Sequence, residues 1–104
     1  MLCRVRQRML NKVTLSAMTL EFPNPSRCFD ETQRRIQFWA HDGALEISFF
    51  VETDALRRMN PSARHNEDGF LATFDVNRGR IERAAKKAYA RYSRASYTLA
   101  ASNF

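Results

Sequence analysis

The sequence predicts a small α+β domain: an antiparallel sheet of about four strands with one short and one long helix packed on one face, in the order β-β-β-α-α-β. Three observations carry this expectation. Asp42-Gly43 lies between two runs that alternate apolar and polar residues. From Gly69 the apolar residues recur instead at helical spacing. Residues 96–101 return to alternation, with Tyr97, Leu99 and Ala101 set against Ser96, Thr98 and Ala100.

Residues 19–22, Thr-Leu-Glu-Phe, alternate and stop at Pro23, which suits a short first strand at a sheet edge. Pro23-Asn24-Pro25-Ser26 is turn material, because a residue preceding proline is pushed toward extended conformations. Phe29 is expected to anchor the following loop in the core. Strands over about 34–41 and 44–52 follow, joined by Asp42-Gly43, a pair that tolerates the positive φ of a two-residue hairpin loop. Folding about that pair sets His41 opposite Ala44, Ala40 opposite Leu45, Phe38 opposite Ile47 and Ile36 opposite Phe49. One face then reads Ile36, Phe38, Ala40, Leu45, Ile47, Phe49, Val51, and the other Arg35, Gln37, Trp39, His41, Glu46, Ser48, Phe50. A slip of one residue exposes the whole apolar set, so the choice of face is well specified.

Thr53 is placed to cap a short helix with Asp54 near its positive end and Ala55, Leu56 and Met59 on its buried side; Asn60-Pro61 ends it. Residues 61–68 read as a polar loop. Phe70, Leu71, Phe74, Ile81, Ala84, Ala85, Ala88, Tyr89 and Tyr92 form the apolar stripe of the next helical region. Asn77-Arg78 interrupt that stripe and Gly79 costs about 1 kcal/mol inside a helix, so the region reads either as one long helix or as two joined near 77–79.

At 104 residues the chain has room for one domain with one modest core. Its 44% hydrophobic content argues against wholesale disorder, and no apolar run approaches the roughly 20 residues of a membrane-spanning helix. The expectation is a soluble protein with no membrane partner. The formal charge of +6 is unevenly distributed. Residues 1–17 carry Arg4, Arg6, Arg8 and Lys12 without an acid, residues 18–77 are net acidic, and residues 78–94 hold seven cations against Glu82. Residues 1–17 read as an organelle transit peptide, a nucleic-acid-binding arm or, preferred here, a disordered basic extension ahead of a natural start at Met18. Without them the charge falls to +2. The single α+β domain is then residues 18–104.

Catalysis needs converging groups, and the sequence offers few. His41 beside the hairpin loop and His65 in the polar loop are expected to be solvated. No nucleophile elbow and no phosphate-cradling glycine loop is present. Asp30-Glu31, Glu52/Asp54 and Glu67-Asp68 are explained as turns and helix ends. Cys3 and Cys28 have no zinc-like spacing and are expected to be reduced thiols. The reading is therefore a non-enzymatic protein, with no catalytic residue, cofactor or metal assigned.

Two surfaces stand out. Trp39 and Phe50, mixed with Arg35 and Gln37, point away from the aliphatic set; with helices on one face only, they face water and have the composition of an interface core. Alternatively Trp39 lies under residues 23–29 or under the N-terminal segment, or is simply half-exposed. The second surface is the stripe Arg80, Arg83, Lys87 and Arg91, with Lys86 nearby, which either neutralises nucleic-acid phosphates or is the ordinary solvated side of an amphipathic helix. The first gives an unknown protein partner or self-association; the second gives the nucleic-acid alternative.

Residues 18–51, which include Thr19-Leu20-Glu21-Phe22-Pro23-Asn24-Pro25-Ser26-Arg27 and Ile36-Gln37-Phe38-Trp39-Ala40-His41-Asp42-Gly43, resemble a family of small bacterial proteins, the domain of unknown function 1488. Phe74-Asp75-Val76-Asn77-Arg78, Ser96-Tyr97-Thr98-Leu99 and Asn103-Phe104 carry the same resemblance, which reaches none of residues 1–17. It implies a small α+β domain in a bacterial cytoplasm and argues against an organelle transit peptide. It transfers no catalytic residue. Gly79 departs from the helix-forming residue that the family pattern has at this position.

Overall fold

The computed structural model describes residues 20–91, 94 and 96–104. The basic extension over residues 1–17 and the start at Met18 lie outside the described residues. The elements run β1 (Arg27–Asp30), β2 (Arg35–Asp42), β3 (Leu45–Glu52), α1 (Thr53–Met59), α2 (Glu67–Val76), α3 (Arg78–Arg91) and β4 (Ser96–Leu99), closed by a 3-10 turn over Ala101–Asn103. The sheet order is β1-β2-β3-β4; β1, β2 and β3 pair antiparallel, and β4 pairs parallel to β3. The fold is α+β, as expected, and the described residues form three α-helices in the order β-β-β-α-α-α-β.

The departures from expectation have identifiable causes. The first strand is displaced. Glu21 makes only an isolated antiparallel bridge to His41, its N–H donating to the His41 carbonyl at 2.9 Å and its own carbonyl accepting at 2.8 Å. Pro23 and Pro25 cannot donate to a ladder, so the chain bows out and resumes pairing as β1, where Phe29 faces Ile36.

The hairpin keeps its faces but moves its register by two. Asp42 pairs with Leu45, Ala40 with Ile47, Phe38 with Phe49 and Ile36 with Val51. The loop is Gly43-Ala44, with φ +65° at Gly43 and no positive φ at Ala44. Positive φ at the first loop position alone is the requirement of a type II′ turn, which glycine meets there. Asp42 stays in β2, and its carboxylate accepts a hydrogen bond from the Tyr89 hydroxyl of α3.

The parallel placement of β4 follows from its connection. A parallel neighbour needs a crossover rather than a hairpin, and α1, α2 and α3 supply it. The expected long helix is two. Asn77 joins them: its N–H reaches the Thr73 and Phe74 carbonyls, its side-chain amide donates to the Thr73 carbonyl at 2.9 Å, and its carbonyl accepts from Ile81 at the start of α3. Gly79 lies inside α3, so the break belongs to Asn77. Thr53 does not cap α1; Glu52 occupies that position without a side-chain cap, and Thr53 is buried as the first helical residue. The true side-chain cap is at α2, where Asn66 Oδ1 accepts from the Gly69 N–H at 2.8 Å.

The core lies between one sheet face and the helices. Ile36, Phe38, Ala40, Ile47, Phe49 and Val51 have no exposure at all, and they cluster with Leu56, Phe70, Phe74, Ile81, Ala85, Tyr89 and Leu99. Phe38 is central, with ring centroids 5.5 Å from Phe49 and 5.2 Å from Phe74. Leu45, expected in this set, is 56% exposed at the first β3 position after the hairpin loop. Burying each large side chain contributes about 1.5–3 kcal/mol, which is what orients the sheet.

Candidate functional site: the helix-free sheet face

The pairing register fixes which residues share the face away from the helices. Antiparallel partners point to the same side, so Cys28 with Gln37, Asp30 with Arg35, Trp39 with Ser48, Gln37 with Phe50 and His41 with Glu46 all lie there, joined by Ser96 and Thr98 of β4. Three of the four residues expected to form an interface are therefore gathered around Gln37: Arg35 and Trp39 flank it along β2 and Phe50 faces it from β3. Arg35 lies on Phe50 with its guanidinium carbon 3.8 Å from the ring centroid, a cation–π contact. Its Nε sits 3.7 Å from Asp30 Oδ2, which makes an ion pair but not a hydrogen bond.

Trp39 decides between the readings left open for it: it does not face water. It is 6% exposed, yet it stands outside the helix-side core cluster. Gln37, Ser48 and Phe50 are half-buried and form the accessible part of the face. His41 is likewise not solvated: it is 6% exposed, and its Nε2 has no hydrogen-bond partner among the described residues. The bridge from Glu21 explains part of this, since it continues the sheet edge past His41 and sets Glu21, His41 and Glu46 in one row. Sequence reasoning missed His41 because the signal, a pairing between residues twenty apart, is not local. Cys28, expected as a reduced thiol, is disulfide-bonded in the structure; spacing along a chain does not reveal which sulfurs meet in space.

The other acidic groups are engaged locally. Asp30 Oδ1 accepts from the Gln33 N–H at 3.1 Å in the β1–β2 turn, and Asp54 pairs with Arg57. Glu67 and Asp68 occupy the first turn of α2. Asp75 receives a bidentate pair from Arg27 at 2.9 and 2.8 Å, and this hydrogen bonding holds its carboxyl below the ordinary aspartate value. Among the described residues no three His, Cys, Asp or Glu side chains are grouped to hold a metal ion. No described helix is long and apolar enough to cross a membrane. His65 stacks on Phe70 with centroids 6.0 Å apart.

The residues of the alternative reading share one helix. Arg80, Arg83, Lys87 and Arg91 are all exposed on α3, and Arg80 stands over the Phe104 ring at 5.9 Å. It lies on the helix layer, opposite the face carrying Trp39 and Phe50.

The fold has a solved counterpart. A crystal structure of a protein of unknown function from the DUF1488 family, from Shewanella loihica PV-4, superposes with a TM-score of 0.69 at 17% identity, covering 83% of this chain and 96% of that one. No curated protein matches the chain. The family model described as protein of unknown function (DUF1488) matches residues 20–100, beginning at the residue before the Glu21 bridge and ending just past β4. The chain belongs to the DUF1488 family.

Proposed function

We propose that the protein is a non-enzymatic interaction module that associates with a second copy of itself through the sheet face opposite the described helices. One observation carries this reading. Among the described residues, three buried side-chain polar atoms have no hydrogen-bond partner, and two of them, Arg35 Nε and His41 Nε2, belong to residues of that face. A buried polar atom without a hydrogen bond costs about 1–3 kcal/mol, although the Arg35 guanidinium keeps Asp30 as an ion-pair partner at 3.7 Å. Arg35 and His41 stand on either side of Gln37 and Trp39 along β2, beside the half-buried Phe50. Apolar and aromatic groups at the centre with Asp30, Glu46 and Glu52 around them match the anatomy of an interface, an apolar middle with a polar rim. Mixed charge on one face also suits an isologous pairing, in which the arginine of one copy meets an acid of the other.

Phe50 is the residue to test, because Trp39 is buried and its substitution disturbs folding as well as binding. Light scattering of the full chain is expected to give a dimer mass that falls toward the monomer in Phe50→Ser and in Arg35→Glu, with circular dichroism unchanged. A monomer mass for the unsubstituted protein at high concentration overturns the proposal.

A further inference from the structure

We infer that the outer side of α3 is a phosphate-binding strip for nucleic acid, formed by Arg80, Arg83, Lys87 and Arg91. This surface is separate from the sheet face and does not depend on it. Arg27, Arg35, Arg57 and Arg78 each pair with a carboxylate, at Asp75, Asp30, Asp54 and Glu82. Arg80, Arg83, Lys86, Lys87 and Arg91 make no ion pair among the described residues, and the one acid of α3, Glu82, is taken by Arg78. Arg34, Arg58 and Arg64 also lack an ion pair among the described residues, but α3 holds the densest group of such cations.

Geometry arranges them in a line. At about 100° per residue, Arg80, Arg83, Lys87 and Arg91 fall within an arc of about 80°, and at 1.5 Å per residue they span about 16 Å of helix. A duplex offers one negative charge per roughly 1.7 Å of its axis, a uniform line of charge that a line of cations meets in any register. Arginine adds bidentate recognition of phosphate oxygens. A lipid surface fits less well. A membrane-surface helix buries an apolar side, whereas the apolar side of α3, Ile81, Ala84, Ala85 and Tyr89, is already consumed by the core. The binding is to the backbone and independent of base sequence, since nothing in the strip is shaped to read base edges.

The test uses the full chain, so residues 1–17 are the same in every sample and cancel in the comparison. Fluorescence anisotropy of a labelled 20-base-pair duplex is measured across 50–200 mM salt for three proteins. These are the unsubstituted chain, the Arg80→Gln/Arg83→Gln/Lys87→Gln/Arg91→Gln variant, and a control, Arg58→Gln/Arg64→Gln, at two exposed arginines away from α3. Four phosphate contacts contribute about −3.6 to the slope of log K against log salt, a loss of roughly 100-fold over that range. The strip variant is expected to lose that part of the slope while keeping its helical circular dichroism; the control keeps it. Equal slopes for the unsubstituted chain and the strip variant overturn the inference. So does tighter retention on phosphatidylserine vesicles or on polyglutamate than on the duplex, or no binding at 50 mM salt.

Discussion

Two glycines in helices give opposite answers to the same substitution. Gly69 lies in the first turn of α2, where the loop from Asn60 folds back against it. A Cβ built there runs into the Arg64 carbonyl oxygen and falls 2.8 Å from its carbon, both backbone atoms, where real contacts start near 3.0 Å. The loop must retreat, and that movement pulls on the Asn66 cap bonded to the Gly69 N–H. Overpacking of this kind costs about 1–3 kcal/mol and a weakened cap about 1 more, against a gain of about 1 from alanine's helix propensity. Gly69→Ala is therefore expected to destabilise by about 2 kcal/mol. At Gly79 a Cβ meets only the Arg83 guanidinium at 3.7 Å, ordinary contact with the end of a flexible side chain, and φ is not positive. Gly79→Ala is expected to stabilise by about 0.5–1 kcal/mol. Thermal unfolding followed by circular dichroism resolves the pair, since 1 kcal/mol moves Tm by roughly 4 °C or more in a domain of this size. A Gly69→Ala protein at least as stable as the unsubstituted chain refutes the close approach of the Arg64 loop. A destabilising Gly79→Ala refutes the continuity of α3 through that position.

Tyr89→Phe removes the hydroxyl that donates to Asp42 at the end of β2, and is expected to cost about 1–3 kcal/mol in urea unfolding; no change means the α3–hairpin tie contributes nothing. Phe38→Ala, at a position with no exposure and ring contacts to Phe22, Phe49 and Phe74, is expected to cost about 3–5 kcal/mol in the same assay. The Arg27–Asp75 pair sets an acid dependence. Asp75 titrates below its unfolded value, so the unfolded chain binds the proton first, and the pair's contribution is present above about pH 4 and lost as pH falls through the lower folded value. Asp75→Asn is expected to flatten the stability profile below pH 4 and leave its shape at pH 7 unchanged; both groups are substantially exposed, so the effect is small.

What the sequence made legible was local. The alternation of residues 36–51 assigned every side chain of the hairpin to its observed face except at the loop, where Leu45 leaves the core. Face depends on a period of two, so a register error of two passes unnoticed. The helical stripe located α2 and α3, and Asn77-Arg78 marked the joint between them. The signals that failed were tertiary. Nothing near residue 96 tells β4 to lie parallel to β3, because that follows from where three helices deliver the chain. Nothing near His41 announces the bridge to Glu21. The candidate face was legible as a set of neighbours, since Arg35, Gln37, Trp39 and Phe50 do meet, whereas its exposure was left open and Trp39 is buried. The cations of α3 were legible throughout, since helical spacing alone places them on one side.

The central claim is that the sheet keeps one face for the helices and the other for a second copy. Amide chemical shifts recorded as concentration is raised test it residue by residue. The account predicts changes confined to the strand residues around Gln37, Ser48, Phe50 and Thr98, with α1 and α2 still. Shifts that do not move with concentration, or that move on the helix layer instead, contradict it.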